Sequence, residues 1–209
     1  MITEAASPRP RAAVRVAALA LLLVPLLAGC GSKPHHFSLI KVPGGHEADL
    51  KLPDQPTVSG KKISAQSLRG DWVILYFGYT HCPNICPLTL AEFNAALKKL
   101  DAKQADKVRV IFVTVDPRRD TPQLLQQYVH AFNPAFIALR PDPPALKRMT
   151  GRYHISYSYG KPDASGNYTV GHSSEFLIFG PQGHMRLMGN YNDSAKAIAG
   201  DLRYDIRHG

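Results

Sequence analysis

The sequence predicts an α/β fold: a mixed β-sheet flanked by helices, with a β-hairpin late in the chain. Three observations predict it. Two long apolar runs, at 72–79 and 108–115, are each followed by a segment of helical pattern. A second pair of apolar runs surrounds a Gly-Pro-Gln-Gly turn at 180–183. The chain of 209 residues is 44% hydrophobic and 20% charged, which suits one globular domain with additional length.

The first strand and helix form the start of this pattern. The run WVILYFGY at 72–79 is continuously apolar, which is typical of a strand covered on both faces. The segment 87–100 begins with a proline and places apolar residues at helical spacing: Leu90, Phe93, Leu97 and Leu100.

A second buried strand, VRVIFVTV at 108–115, is followed by a helix with Asp120 or Thr121 as its cap and Pro122 early in its first turn.

The later elements are shorter. In chain order we expect a short strand at 135–140, a short helix at 144–153, an exposed excursion at 160–172 and a hairpin at 174–189. A final helix is capped near Asp193 or Ser194. Functional groups in such sheets gather at the carboxyl ends of the parallel strands, where Cys82 follows the first long strand.

The N-terminal segment predicts export. Arg9, Arg11 and Arg15 precede a short apolar run at 16–27, and the sequence Leu-Ala-Gly-Cys at 27–30 resembles the bacterial lipobox. That resemblance implies a signal peptide at 1–29, cleavage before Cys30 and lipid attached to the Cys30 sulfur. The alternative is an uncleaved anchor helix with a chance cysteine. Either way, we expect an exported domain tethered to a membrane, facing the periplasm or the outer surface.

A segment rich in Gly, Pro and Ser at 30–45 then predicts a tether, followed by the folded domain at 46–209. The formal charge is +9, and it falls to +7 once the signal peptide with its three arginines and one glutamate is removed. Such a charge suits an anionic membrane surface, an acidic partner or simply a solvated surface. Basic runs interleaved with aromatic residues are absent from the sequence, so nucleic acid is not expected as a partner.

The pair Cys82 and Cys86 carries the main functional signal. With Cys30 lipidated, these two are the remaining thiols, and two cysteines do not make a disulfide-stapled scaffold. Four residues apart, their sulfurs can form a disulfide or bind one metal ion together. A helix N-terminus nearby favours the thiolate form. Spacing alone leaves the redox and the metal-binding interpretations open.

Three motifs resemble the Sco/SenC family in the order in which they occur. They are FGYTHCPNICP at 77–87, VTVDPRRDTP at 113–122 and GHSSEFLIF at 171–179, and the resemblance covers about residues 60–205. It implies a membrane-tethered, thioredoxin-like domain that binds copper, as Cu(I) or Cu(II), through Cys82, Cys86 and His172. It further implies assembly of the binuclear copper site of cytochrome c oxidase, with the copper-bearing subunit as recipient and an upstream protein as copper donor.

The residues themselves are compatible with copper. Two thiolates and an imidazole are soft and borderline donors, whereas structural zinc would require a fourth ligand. Gly171 stands where the family commonly has an acidic residue, which would help to hold His172 rigidly. The excursion before His172 is rich in Gly, Pro and Asn, which indicates a mobile loop that brings the histidine over the cysteines. His81 is expected to have a supporting or surface role.

Asp116, at the end of the second strand, has two interpretations. It either stabilises a turn by pairing with Arg118 or Arg119, or supports the metal site or a docking partner.

Two functions compete. The first is a copper metallochaperone that uses all three donors, and the second is a thiol–disulfide oxidoreductase that reduces a partner's cysteines and does not need His172. A peroxide-reducing enzyme is disfavoured because Thr80 lies one residue too close to Cys82 for the usual T-x-x-C arrangement.

Overall fold

The computed structural model of this chain describes residues 35–42 and 49–208. The predicted signal peptide 1–29, Cys30 and part of the predicted tether lie outside the described residues. The strands are β1 Ile40–Lys41, β2 Trp72–Gly78, β3 Val108–Thr114, β4 Ile137–Leu139, β5 Tyr157–Tyr159, β6 Val170–His172, β7 Phe176–Phe179 and β8 Met185–Gly189. The helices are α1 Ile85–Leu97, α2 Ala102–Ala105, α3 Pro122–Phe132, α4 Pro143–Arg152 and α5 Ala195–His208.

Six strands form the central sheet, in the order β1-β8-β7-β2-β3-β4. Strands β2, β3 and β4 run parallel to one another, whereas β7 pairs antiparallel with β2 and β8 pairs antiparallel with β7. Strands β5 and β6 form a separate antiparallel pair. The predicted mixed sheet and the late hairpin are therefore confirmed.

Helices cover both faces of β2, as the continuous apolar run predicts. Every residue of this strand is buried. The ring of Tyr76 packs edge-on against Phe93 of α1, with the ring centroids 5.8 Å apart. Phe77, which points to the opposite face, packs against Tyr153 at the end of α4 at 6.2 Å.

Helix α1 begins two residues before the predicted start, at Ile85, with Asn84 at the N-cap position. Pro87 is therefore the third residue of the helix. Proline is tolerated there because the first N–H groups of a helix have no intrahelical acceptor. As a result, Cys86 lies in the first turn of α1 and Cys82 in the loop before it.

The later helices begin as expected. Thr121 caps α3 by accepting a hydrogen bond from the Leu124 backbone N–H, and Pro122 is its first residue. Ser194 accepts from the Ala197 N–H at the start of α5. Among the helices of residues 35–42 and 49–208, none has both the length and the apolar character needed to cross a membrane.

Three strands, β1, β5 and β6, and the short helix α2 are not predicted by the sequence. Strand β1 lies within the segment predicted as a tether and pairs antiparallel with Met188 and Leu187 of β8. Strand β6 ends the excursion at 160–172 and pairs with β5, although most of the excursion itself is exposed, as expected.

Candidate metal centre

The sheet topology brings two distant parts of the chain to one edge. Strand β2 ends at Gly78 and leads into the loop that carries Cys82. Strand β7 runs in the opposite direction, with its first residue, Phe176, paired with Tyr76. The residues just before β7, including His172, therefore lie at the carboxyl end of β2, where the cysteines are.

Cys82, Cys86 and His172 form a compact cluster of donor atoms. Their ligand atoms all lie within 4.8 Å of one another, and Nε2 of His172 is 3.4 Å from Sγ of Cys86. Both cysteines are free thiols. In the described part of the chain, no other group of three His, Cys, Asp or Glu residues meets this condition. The three residues that the motifs predict are thus brought together.

Gly78 provides the space for the Cys86 sulfur. A Cβ atom at this position would lie 2.8 Å from Sγ of Cys86 and 2.8 Å from the ring of Phe112. Both distances are shorter than side-chain carbon contacts allow, so only glycine fits here without displacing the sulfur. The last residue of β2 thereby helps to define where Cys86 stands.

His172 is held in a hairpin, not on a free loop. It is the last residue of β6 and pairs with Tyr157 of β5. Its Nδ1–H donates to the Ser173 carbonyl at 2.7 Å, which leaves the lone pair of Nε2 directed to the cysteines. Gly171 contributes no side chain that could hold the ring, and the backbone carbonyl of Ser173 orients the imidazole instead.

The two thiols have opposite acidities. The hydrogen bond from the Cys86 S–H lowers the pKa of Cys82 to about 4, aided by the Cys86 backbone N–H, although burial opposes the shift. The same hydrogen bond, together with burial, raises the pKa of Cys86. The metal-free pair is therefore one thiolate and one thiol that share a proton between them.

Asp116 does not touch the donor cluster. It is fully buried, and its Oδ2 accepts from Nε of Arg119 at 2.5 Å while its Oδ1 accepts from the hydroxyl of Tyr168 at 2.8 Å. Of the two arginines considered from the sequence, Arg119 is the partner. Asp116 thus joins the turn after β3 to the excursion that precedes His172.

His81 also lies outside the cluster. Its Nδ1 is 3.0 Å from Oγ1 of Thr80 and 3.6 Å from Oδ1 of Asp120, a buried carboxylate. The side chain is 45% exposed. It occupies the surface beside the cysteine loop, as the sequence predicts.

Sequence reasoning missed the contact of Tyr79 with the histidine and that of Arg119 with Tyr168, in the segment before β6. The ring of Tyr79 meets the imidazole of His172 edge-on, with centroids 5.7 Å apart. The guanidinium of Arg119 stacks on Tyr168, 3.7 Å from the ring centroid. Aromatic residues and arginines are common in loops, and no local spacing indicates that these ones meet.

The cluster lies at an open edge of the fold. A cavity of about 280 Å³ adjoins it, lined by Ser156, Tyr157, Ser158, Gly171, His172 and Ser173. A larger cavity of about 640 Å³ includes Lys61, Lys62 and Arg109 in its lining and neither cysteine nor His172. Of the three donor residues, His172 is thus the one that lines a surface cavity.

Comparison with known proteins identifies close similarities. The family model described as SCO1/SenC matches residues 53–207. The mitochondrial SCO1 homolog 1 of Arabidopsis thaliana is 37% identical over 123 residues, which are 59% of this chain and 36% of that protein. The chain thus spans about a third of the length of this curated relative.

Solved structures agree. The copper-bound structure of ScoI from Bradyrhizobium japonicum is 32% identical, with a TM-score of 0.65, and covers 71% of this chain and 94% of that chain. The structure of apo Sco1 from Thermus thermophilus is 27% identical, with a TM-score of 0.72, and the match covers 83% of this chain and 99% of that chain. These matches confirm the predicted thioredoxin-like fold class.

Proposed function

The chain belongs to the SCO1/SenC family, and we propose that it is a copper metallochaperone for the binuclear copper site of cytochrome c oxidase. One copper ion is its cargo, bound by Cys82, Cys86 and His172. The observation that carries the proposal is the convergence of two sulfurs and one imidazole nitrogen within 4.8 Å. Relatives of similar fold that are 32% identical have been solved with copper bound.

The donor set fits this cargo. Thiolates and imidazole are the ligands that copper prefers over harder metals, and three of them suffice for Cu(I). Cu(II) would take a further ligand from solvent or a partner. A site with three donors keeps a coordination position open, and this position is what ligand exchange with a second protein requires.

The exposure of the three donor residues indicates the order in which they release copper. Cys86 is completely buried beneath the loop, whereas Cys82 retains 8% of its surface and His172 is half-buried. An incoming thiolate of the recipient therefore meets the Cys82 and His172 side of the ion first. Cys86 is the last ligand to release the copper.

The proposed setting follows from the N-terminal sequence. The chain is exported, cleaved before Cys30 and anchored to a membrane by lipid on that residue, facing the periplasm or the outer surface. The recipient is the copper-bearing subunit of cytochrome c oxidase, and an upstream protein donates the copper.

The test is a copper titration of the reduced protein, followed by absorption and EPR spectroscopy. We expect one copper per chain and a thiolate-to-Cu(II) charge-transfer band. Cys82→Ala and Cys86→Ala should abolish the band, and His172→Ala should weaken affinity by about tenfold or more. His184→Ala is the matched control, because His184 pairs with Asp49 outside the cluster. Unchanged copper affinity in His172→Ala would overturn the three-donor site.

A second function, thiol–disulfide exchange, is favoured by the low pKa of Cys82 beside a second thiol. The Cys82 thiolate would attack a disulfide of the partner to form a mixed disulfide. One partner thiol leaves in that step. Cys86 would then attack the sulfur of Cys82 and release the partner's second thiol, so that the pair forms a disulfide as the partner is reduced. Cys86→Ala should trap the mixed disulfide. His172→Ala should leave the rate at which the partner's disulfide is reduced unchanged.

A further inference from the structure

The hairpin that carries His172 lies outside the hydrogen-bonded ladder of the main sheet. Strands β5 and β6 pair only with each other among the described residues. Its attachment to the domain must therefore come from other contacts. One of them is the hydroxyl of Tyr159, which donates to the Val115 carbonyl at 2.7 Å and fixes the β5 side.

The β6 side is attached through Arg119. Its Nε donates to Oδ2 of the buried Asp116 at 2.5 Å, and its Nη1 donates to the Tyr168 carbonyl at 2.7 Å. The guanidinium plane also stacks on the Tyr168 ring, with its carbon 3.7 Å from the centroid. One rigid planar group therefore joins the turn after β3 to the segment two residues before β6.

Asp116 completes the connection. It also accepts a hydrogen bond from the hydroxyl of Tyr168 at 2.8 Å, so both ends of the Tyr168 residue, hydroxyl and backbone carbonyl, are held by this carboxylate–guanidinium pair. From Tyr168 only three peptide units lead to Gly171, and His172 follows. Because β6 is so short, the position of Tyr168 determines where the imidazole stands.

Tyr79 forms the opposite wall. Its hydroxyl accepts from the Val170 N–H at 3.4 Å, and its ring faces the imidazole of His172 edge-on at 5.7 Å. The Arg119 guanidinium lies 5.8 Å from the same ring. The side chain of Arg119 thus lies beside two tyrosines: Tyr168, which precedes β6, and Tyr79, which faces His172.

We propose that Arg119, oriented by Asp116, is a positioning residue that fixes the β6 strand so that Nε2 of His172 faces the cysteines. The inference rests on the proposed function and deepens it. It also accounts for Gly171: with no side chain next to the histidine to hold the ring, the strand itself is held from the other end. Lysine replaces Arg119 only in part, since an ammonium group keeps the charge beside Asp116 but cannot donate to Asp116 and Tyr168 in one plane while stacking on the ring.

The experiment compares Arg119→Gln, Arg119→Lys and Tyr168→Phe with Arg148→Gln in the reduced protein. Arg148→Gln is the control, because it removes the same charge from an exposed position of α4. We expect copper affinity to fall by about tenfold or more in Arg119→Gln, to fall less in Arg119→Lys and Tyr168→Phe, and to stay unchanged in the control. The copper hyperfine coupling in EPR should shift toward that of His172→Ala.

A double-mutant cycle separates positioning from general destabilisation. If Arg119 acts through His172, Arg119→Gln should cost no further affinity in the His172→Ala background. Additive losses would overturn the inference. So would an affinity within twofold of the unmodified protein in Arg119→Gln. If Arg119→Gln does not fold, Tyr168→Phe, which removes a single hydroxyl group, undergoes the same cycle.

A measurement without copper distinguishes this inference from the proposed function. ¹⁵N NMR of the metal-free protein should show His172 as one tautomer with the proton on Nδ1, and a mixture in Arg119→Gln. If the unmodified protein fails to bind copper, the metallochaperone proposal is wrong, and the NMR result alone decides the positioning role. An unchanged tautomer in Arg119→Gln would overturn it.

Discussion

At the scale of single residues, the two cysteines differ in environment although they are four positions apart. Cys82 lies in the loop before α1, where its sulfur accepts both the Cys86 S–H and the Cys86 backbone N–H, the latter at 3.5 Å. Cys86 lies in the first turn of α1 with its sulfur against Gly78 and beside His172. One thiol is prepared as a nucleophile or first ligand, and the other is kept protonated until a metal or a disulfide replaces its proton.

This asymmetry predicts a particular pH dependence of alkylation. The pKa of Cys82 is lowered to about 4, so its thiolate persists as the pH falls and is lost only near that value. We expect the rate of iodoacetamide reaction at Cys82, followed by mass spectrometry, to change by less than about threefold between pH 6 and 9. An ordinary thiol of pKa about 8.5 would lose roughly tenfold per unit over the lower part of this range.

Cys86→Ala is the control for that measurement. It removes the donor that contributes most to the shift, so the pKa of Cys82 should return toward its ordinary value and the pH dependence should reappear. A tenfold rate loss per pH unit below 8 in the unmodified protein would contradict the predicted thiolate.

At the scale of elements, the helices are fixed to the sheet by aromatic rings. Tyr128 of α3 packs against Phe112 of β3, with centroids 5.8 Å apart, and against Phe132 at 5.5 Å. Tyr153, following α4, packs against Phe77 and Phe179 on the other face.

The hydroxyl groups of Tyr153 and Tyr128 differ in their hydrogen bonds. That of Tyr153 is hydrogen-bonded to both the N–H and the carbonyl of Lys51, whereas that of Tyr128 is buried without a partner in the described structure.

Replacing Tyr128 and Tyr153 by phenylalanine should therefore change the free energy of unfolding in opposite directions. Tyr128→Phe removes a hydroxyl that gives up its hydrogen bonds to water on folding and forms none in the described structure. The free energy of unfolding should therefore rise by about 1 kcal/mol. Tyr153→Phe leaves the Lys51 N–H without its acceptor, and the free energy of unfolding should fall by about 1–2 kcal/mol. Urea unfolding measures both. A loss of stability in Tyr128→Phe would show that its hydroxyl has a partner.

The elements also show where sequence reasoning succeeds. The strand at 72–79 and the helix after it follow from local periodicity, and both are present with boundaries shifted by one to three residues. Strand β6 was not predicted, because a pair of three-residue strands carries no periodic signal and forms only when Tyr157 meets His172.

At the scale of the whole compact unit, His36–Gly209, the segment 36–42 is part of the domain. Strand β1 pairs with β8, and the carboxylate of Asp201 on α5 accepts from the backbone N–H groups of Ser38 at 2.8 Å and Leu39 at 2.7 Å. Asp201 is itself buried. A charged acceptor with two donors is a strong attachment for so short a strand.

Asp201→Ala should release this segment without unfolding the sheet. Hydrogen bonds to a charged group contribute about 1.5–3 kcal/mol, which is enough to hold a strand of two residues. We expect hydrogen exchange to lose protection at Val42, whose N–H donates to the Arg186 carbonyl, while the amides of β2 and β3 keep theirs. Lys196→Ala, at an exposed position of the same helix, should change neither. Retained protection at Val42 would show that β8 alone holds the segment.

The sequence by itself determined the α/β pattern, the two buried strands and the helix after the cysteines, and its motifs pointed to the three residues that the fold brings together. These depend on periodicity, on proline and capping positions and on motifs, all of which are local. Only the tertiary structure decided that His172 sits on a hairpin, that Ser173 and Arg119 orient and support it, and that the two thiols share one proton unequally. Each of these depends on contacts between residues far apart in the chain, and no local pattern records such distances.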